Sequence, residues 1–456
     1  MSRARVNMTE GPLFVNIMRF TLPIILTNVL QLTFNAADIV MVGRLCGSTS
    51  VAAVGATGSV TNLLVNLFIG VAMGAGVTVA QGIGARDGEE VHKAVHTAMT
   101  ASIICGLIMS VIGIVFSKSI LLLMNTPLDV LDLAAKYVRI YFLGSVFSMV
   151  FNFGAAILRA VGESKKPLYY LTMSGVLNVC LNFCLIRFAG MDVEGVAIAT
   201  ITAQALSAFL VVRDLLGRDD LCKLNPRDMR IHKKQLKKII RIGLPSGAQA
   251  SLFSLSNMLI QSSVNSFGKT VLSANSAAGN IEGFLYAVVG AFQQTTINFT
   301  GQNLGARKPR RIRRLTFISI GTGAMIAGTL GILALVFGRQ LLGIYITDDP
   351  MAIEYGLIRF RCVGAFYFVC AFMDIVIGSV KGLGKTTQGM IISLVGTCGF
   401  RVIWIYTVFA RFRTLPWLYV CYPITYGLVF IVQMAYFLHV TSKLIEQEDT
   451  AALQTT

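Results

Sequence analysis

The chain has 456 residues, of which 55% are hydrophobic and only 13% charged, with a mean hydropathy of +0.70. These values exclude an ordinary soluble domain and define a polytopic membrane protein. A formal net charge of +17 raises nucleic acid as a partner, but where the Lys and Arg fall argues against it.

The N-terminus, Met1 to Gly11, is short and polar, and no small-residue cleavage site precedes the first apolar run, so it does not read as a cleaved signal peptide. From Ile17 to Val42 the chain is apolar, broken by Pro23, Asn28, Gln31, Asn35 and Asp38. About 20 helical residues cover a ~30 Å hydrocarbon layer, so this stretch predicts a spanning helix. Pro23 removes one backbone hydrogen bond and crowds the preceding turn, which predicts a bend or pivot. Asp38 costs roughly 2.5–3.5 kcal/mol at mid-membrane unless it faces protein or water. Eleven further apolar segments follow, near 52–82, 93–116, 130–160, 167–188, 193–216, 238–267, 271–303, 314–338, 351–380, 387–410 and 415–441. The predicted fold class is therefore an all-α polytopic membrane protein with twelve transmembrane helices.

With the N-terminus inside, the outer loops hold only Arg44, Lys118, Arg187, Lys269, Arg339, Arg411 and Arg413, and most of the 39 basic residues lie toward the other side. The positive-inside bias puts both termini in the cytoplasm and the loop near Asp348-Asp349 outside. Nine cysteines are scattered without ligand spacing, which implies neither a disulfide framework nor a zinc site.

The chain repeats itself. Leu22-Pro23 recurs as Leu244-Pro245, Arg139 as Arg361, and Arg159-Ala160-Val161-Gly162 as Lys381-Gly382-Leu383-Gly384, while Gln81 to Arg86 recurs as Gln302 to Arg307. Two six-helix halves follow, residues 1–216 and 238–441. Because six is even, each half starts on the cytoplasmic side, so the repeats are parallel. Between them lies a basic cytoplasmic linker, 217–237. Met229, Leu236, Ile239 and Ile240 at near-helical spacing suggest an amphipathic connector on the membrane surface, near lipid headgroups. The tail, 442–456, is cytoplasmic, and its polar end from Glu446 is expected to be disordered.

Two short motifs suggest soluble enzymes and are set aside. Gly384-Lys385-Thr386 ends like a phosphate loop, but the first glycine of that pattern falls at Ser379 and no strand precedes it. Gly82-Ile83-Gly84 follows a membrane helix, so both read as cytoplasmic turns. The four histidines stand at cytoplasmic ends, unsuited to intramembrane chemistry, so no enzyme and no cofactor are expected.

Chemistry need not follow the repeat, and departures from it mark candidate residues. Shifting by 222 places Asp38 opposite Ile260, Asn152 opposite Asp374, Asn178 opposite Phe400, Val179 opposite Arg401 and Asn182 opposite Trp404. The first half thus carries Asp38, Asn152, Asn178 and Asn182, with Thr200 and Thr202 on the sixth span. The second carries Asp374, Arg401 and, on the eighth span, Glu282. Asn178 and Asn182 lie four apart and share one helix face. Asp374 and Arg401 either neutralise each other across neighbouring helices or meet an ion or substrate. Glu282 fits a structural partner for an Arg or backbone group.

Pro23 with Asp38, Gln81 to Arg86, Tyr137-Val138-Arg139-Ile140, Leu158 to Gly162 and Gln302 to Arg307 together resemble the multidrug and toxic compound extrusion family over essentially residues 11–441. That resemblance implies a V-shaped pair of lobes in the cytoplasmic (inner) membrane. It also implies an antiporter that exports cationic amphiphilic drugs in exchange for protons or sodium ions, working as a monomer. In one branch of the family the coupling site joins the carboxylate of the first span to polar residues of spans four to six, here Asp38, Asn152, Asn178 and Thr200 or Thr202. Asn182 stands where those relatives often carry a second carboxylate, so the ion, proton or sodium at Asp38, stays open. Another branch uses carboxylates of spans seven and ten. Residues 238–267 carry none, although Asp374 matches the latter position. A lipid-linked glycan flippase of the same superfamily would need a cationic cavity, for which Arg401 is the main candidate. A membrane-embedded enzyme would need a His, Asp or Ser constellation within the spans.

Overall fold

The computed structural model describes residues 5–123, 126, 128–346 and 349–455, so Asp348 lies outside the described residues. Its elements are helical, with no strand among the described residues. The first are α1 (Leu13–Leu45), α2 (Ser48–Ala85), α3 (Gly88–Leu123), α4 (Leu128–Leu143), α5 (Ser145–Val161), α6 (Lys165–Arg187) and α7 (Val193–Leu216). After a 3-10 turn at Pro226–Asp228 come α8 (Lys233–Asn265), α9 (Lys269–Gly305), α10 (Pro309–Val336), α11 (Gly338–Gly343), α12 (Pro350–Cys362) and α13 (Tyr367–Gly382). The last are α14 (Thr386–Ser393), α15 (Phe400–Trp404), α16 (Ala410–Phe412), α17 (Leu415–Tyr419) and α18 (Cys421–Thr455).

Nine segments among the described residues are long and apolar enough to cross a membrane, and ten when α4 and α5, bent by 49° at Gly144, count as one span. The long helices α8 and α9 fall outside that set. Lys233, Lys234, Lys237, Lys238 and Arg241 crowd the start of α8, and Gln293, Gln294, Asn298, Gln302 and Asn303 dilute the apolar character of α9.

The chain divides into two compact units. One holds Leu26–Ser251 with the N-terminal residues up to Val6, and the other holds Asn7–Ile25 and Leu252–Thr456. The division falls inside α1, just beyond Pro23, and inside α8, just beyond Pro245. Both helices continue through their prolines.

In the first unit α5 is the central helix, packed against α2, α3 and α7. Its inward residues Met149, Phe153, Ile157 and Leu158 are buried, at the heart of the apolar core. The α2 helix meets the start of α8 through Gly70, Gly74, Gly243 and Gly247. A Cβ on Gly70 would stand 2.2 Å from the Gly247 nitrogen, a spacing only glycine allows. Small residues four apart let membrane helices approach backbone to backbone.

The second unit repeats the plan around α13, which packs on α9, α10 and α18 and is buried around most of its circumference. Polar contacts tie the bundle. Thr296 Oγ1 donates to the Ile375 carbonyl at 3.3 Å, and the Thr316 and Ser379 hydroxyls meet at 2.9 Å. The internal repeat reaches the backbone itself, since Arg86 (φ 56°) and Arg307 (φ 53°) both adopt the left-handed conformation at matching helix ends.

Two sequence expectations are corrected. Residues 233–240 are the first turns of α8, and no separate surface connector exists there. Ile239 is fully buried, and Leu236 and Met229 pack on the core, because helical continuity from Lys233 lets the apolar face dock directly. The tail to Thr455 is helical, an extension of α18, and Arg310 donates to both oxygens of Asp449 at 2.8 and 2.9 Å.

Candidate ion-coupling site

In the first unit α1 and α6 approach closely because Gly175 leaves room for the Phe34 ring, which comes within 1.9 Å of where a Cβ would stand. One turn beyond Phe34 on α1 is Asp38, and two turns beyond Gly175 on α6 is Asn182. Asn182 Nδ2 donates to Asp38 Oδ1 at 2.6 Å. The same amide nitrogen lies 3.4 Å from Asn178 Oδ1, and Asn178 Nδ2 lies 3.4 Å from Thr200 Oγ1 on α7. The hydroxyl of Thr200 in turn donates to the Val196 carbonyl at 2.9 Å.

The result is a relay Asp38, Asn182, Asn178, Thr200 across three helices. Asn182 and Asn178 are buried, while Asp38 and Thr200 are half-buried. Tyr137 of α4 lies near enough to Asp38 to feel its charge. One group is left over: Asn182 Oδ1 is buried with no hydrogen-bond partner. A buried acceptor without a donor costs about 1–3 kcal/mol, so it is a place where a proton donor or a cation gains most.

Not all first-half candidates join. Asn152 donates to the Ser148 carbonyl at 2.8 Å, and Thr202, exposed, donates to the Ile198 carbonyl at 2.8 Å, each one turn back on its own helix. Thr200 makes the same kind of bond but is also met by Asn178, whereas Asn152 and Thr202 bond only within their own helices and stay outside the relay.

In the second unit Glu282 of α9 is clamped by Arg359 of α12, whose Nε and Nη2 donate to the two carboxylate oxygens at 3.0 and 2.5 Å. Arg359 also donates to Asn275 Oδ1 and stacks on the Tyr419 ring at 5.6 Å. The Tyr419 hydroxyl donates to Asn275 Oδ1 at 3.0 Å, and Asn275 Nδ2 donates to Gln261 Oε1 at 2.8 Å. This is a closed structural network.

Of the two readings of Asp374 and Arg401, mutual neutralisation or contact with an ion or substrate, the first does not form among the described residues. Arg401 Nη1 donates to Asn257 Oδ1 at 2.9 Å, and its guanidinium lies 4.3 Å from the centroid of the Tyr422 ring. It sits between two π-helical turns, Leu394–Gly399 and Ile405–Phe409, which rotate that stretch away from regular helical register. Asp374 instead takes a long 3.4 Å bond from Gln293 and lies beside Tyr286, and its Oδ2 is buried without a donor.

Sequence reasoning missed Arg359, Gln293 and Asn275. The repeat held a signal for the first two, since the 222 shift sets Arg359 opposite Tyr137 and Gln293 opposite Val71, polar against apolar.

At the end of the first unit that adjoins the linker, Arg218 holds Glu163 through paired bonds of 3.1 Å and Asp220 at 2.6 Å. Lys166 reaches Glu163 at 2.9 Å and Asp214 at 2.6 Å. Burial pushes the Glu163 carboxyl up, but its bonds to Arg218 and Lys166 outweigh that and hold it below the usual carboxylate range. Asp220 is held low in the same way.

A family model, MatE, matches residues 23–184 and 245–407, once in each half. A protein of Bacillus subtilis named "Probable multidrug resistance protein YoeA" is 27% identical over 84% of this chain and 84% of its own. "Probable multidrug resistance protein NorM" of Thermotoga maritima is 23% identical over 83% of this chain and 82% of its own. Among solved structures, one described as an outward-facing conformation of a multidrug resistance MATE family transporter of the MOP superfamily covers 98% of this chain and 99% of its own. It does so with a TM-score of 0.90 at 22% identity. With both halves matched by the family model and the same fold in a solved MATE transporter, the chain belongs to the MatE family of multidrug and toxic compound extrusion transporters.

Proposed function

We propose that this protein is a multidrug efflux antiporter of the cytoplasmic membrane, exporting cationic amphiphilic compounds in exchange for protons or sodium ions bound at Asp38. The observation that carries this reading is the bond from Asn182 to Asp38 beside the buried, unpartnered Oδ1 of Asn182. A carboxylate whose neighbours are neutral amides keeps its charge available for exchange. A proton on Asp38 makes that group a donor, and a sodium ion takes oxygen ligands from the carboxylate and the amide carbonyls. Either cation cancels the charge.

With Asp38 neutral, the outer part of α1 repacks about Pro23 and the drug leaves. Coupling requires that ion and drug bind the two arrangements with different affinity. One charge crossing the full potential supplies about 2.3 kcal/mol per 100 mV. Both termini are cytoplasmic in this scheme, the chain works as a monomer among membrane lipids, and it uses no cofactor. Efflux of a fluorescent organic cation from cells, with and without a sodium gradient and with a protonophore, tests it. We expect gradient-driven efflux from wild type and none from the Asp38→Asn protein at equal expression; wild-type rates from that variant would overturn the assignment.

A second reading places the coupling ion at Asp374. The buried, unpartnered Oδ2 of that residue favours it. It requires that Asp374→Asn, and not Asp38→Asn, abolish efflux.

A further inference from the structure

His92 and His96 stand four residues apart near the start of α3, on one face of the helix, with ring centroids 4.0 Å apart. The 3-10 turn at Pro226–Asp228 brings a third group to them. One ligand atom from each of His92, His96 and Asp228 lies within 4.8 Å of the others. His92 Nε2 is 3.5 Å from Asp228 Oδ2. Ligand atoms on a tetrahedral zinc ion stand about 3.4 Å apart, so this edge already has the right length.

The ring of His96 is set for ligation. Its Nδ1 lies 2.7 Å from the His92 carbonyl, which makes Nδ1 the protonated nitrogen and leaves Nε2, on a buried ring, as the acceptor. A ligating histidine typically donates its other ring N–H in this manner. The lone pair is met by a single residue. The backbone N–H of Asn225 donates to His96 Nε2 at 3.0 Å, and Asn225 Nδ2 donates to Asp228 Oδ2 at 2.8 Å. Two hydrogen-bond donors of one linker residue thus stand on two of the three ligand atoms, where positive charge is wanted.

We propose that His92, His96 and Asp228 bind one transition-metal dication of the zinc class, which replaces Asn225 on His96 and Asp228 and fastens the linker to α3. Two imidazoles and a carboxylate select zinc, cobalt or nickel over magnesium or calcium, which prefer all-oxygen sites. Three protein ligands leave a position for water. His232, nearby, is not a ligand: its Nδ1 meets Thr97 Oγ1 at 3.2 Å and its Nε2 accepts from Arg230 at 3.1 Å. Bound metal therefore acts on the segment that joins the two halves of the chain, at a site separate from Asp38.

Cobalt(II) titrated into the purified full-length protein tests this by calorimetry and visible absorption. We expect one equivalent bound, with the ligand-field bands of a four- or five-coordinate nitrogen and oxygen site. His92→Ala and Asp228→Asn change half-exposed side chains and should each weaken binding about tenfold or more, given that even outer-shell changes cost 10–100-fold. His232→Ala should bind as wild type does. Absence of stoichiometric binding, or undiminished binding by His92→Ala and Asp228→Asn, would overturn the site. A thiolate-to-cobalt charge-transfer band would do so too, by placing the ion on one of the free cysteines.

Discussion

Asp38 in the first unit and Glu282 in the second are carboxylates on long helices of an apolar bundle, yet they are held in opposite ways. Glu282 meets a guanidinium that donates to both of its oxygens, and that guanidinium is itself fixed by Asn275 and Tyr419. Asp38 meets one amide, in a relay of amides and a hydroxyl that carries no compensating positive charge. A carboxylate neutralised by a fixed cation is committed to structure. One surrounded by neutral dipoles gains from any mobile cation that arrives, which is what coupling needs. Asp374 lies between these cases, with a weak donor in Gln293, the Tyr286 hydroxyl beside it, the Lys381 cation within electrostatic reach and one oxygen without a donor.

The sharpest way to break the comparison is to neutralise each carboxylate in turn. Asp38→Asn should reduce gradient-driven efflux to background while drug binding to the purified protein persists, and Asp374→Asn should transport at a substantial rate. Parallel efflux and binding measurements decide it; the reverse pattern moves the coupling ion to the second unit. The next largest effect concerns folding. Glu282→Gln or Arg359→Met leaves a buried charge unpaired and should cost about 3–5 kcal/mol, whereas the double change should cost less than either alone. Thermal unfolding of the three proteins in detergent checks this, and additive losses would remove the pair from the structural role.

Within the relay a smaller loss is expected. Asn182→Ala removes the buried amide oxygen beside Asp38 and should weaken sodium affinity by about 1–3 kcal/mol, roughly 5- to 150-fold, without unfolding the bundle. The concentration of ion giving half-maximal efflux reports it. The smallest effect is at the network around Arg218. Glu163 and Asp220 have carboxyls held below their ordinary range, so their contribution to stability is present above the ordinary carboxylate pKa and is lost as pH falls through their lowered folded values. Acid should therefore loosen the first unit below about pH 4. In the Glu163→Gln protein that acid-induced loss should shrink, which unfolding midpoints measured against pH would detect.

Much of the candidate site is legible in the amino-acid sequence. Asp38, Asn178 and Asn182 stand out because they break the repeat, and the four-residue spacing puts the two asparagines on one face. Thr200 follows from the family pattern. Asn152 and Thr202 belong to the same pattern but bond only within their own helices, whereas Thr200, which also bonds one turn back, is met in addition by Asn178. The Asp374 and Arg401 pairing failed for a different reason. Opposite charges on neighbouring spans invite an ion pair, but the π-helical turns around Arg401 set its rotation, and no periodicity in the sequence reveals them.

Sequence alone determined the membrane class, the internal repeat, the Pro23 and Pro245 helices and the candidate carboxylates, because apolar length, charge bias and internal repetition are written along one dimension. Tertiary structure decided which partner each carboxylate takes. Glu282 meets Arg359 across 77 residues, Asn182 meets Asp38 across 144, and Asp228 meets His92 across most of the first half. Those choices depend on where glycines let helices close up, as Gly175 does beneath Phe34, and on how far each helix turns before its side chain is presented. Packing also decided that α1 and α8 divide between the compact units beyond their prolines, a consequence that linear order does not contain.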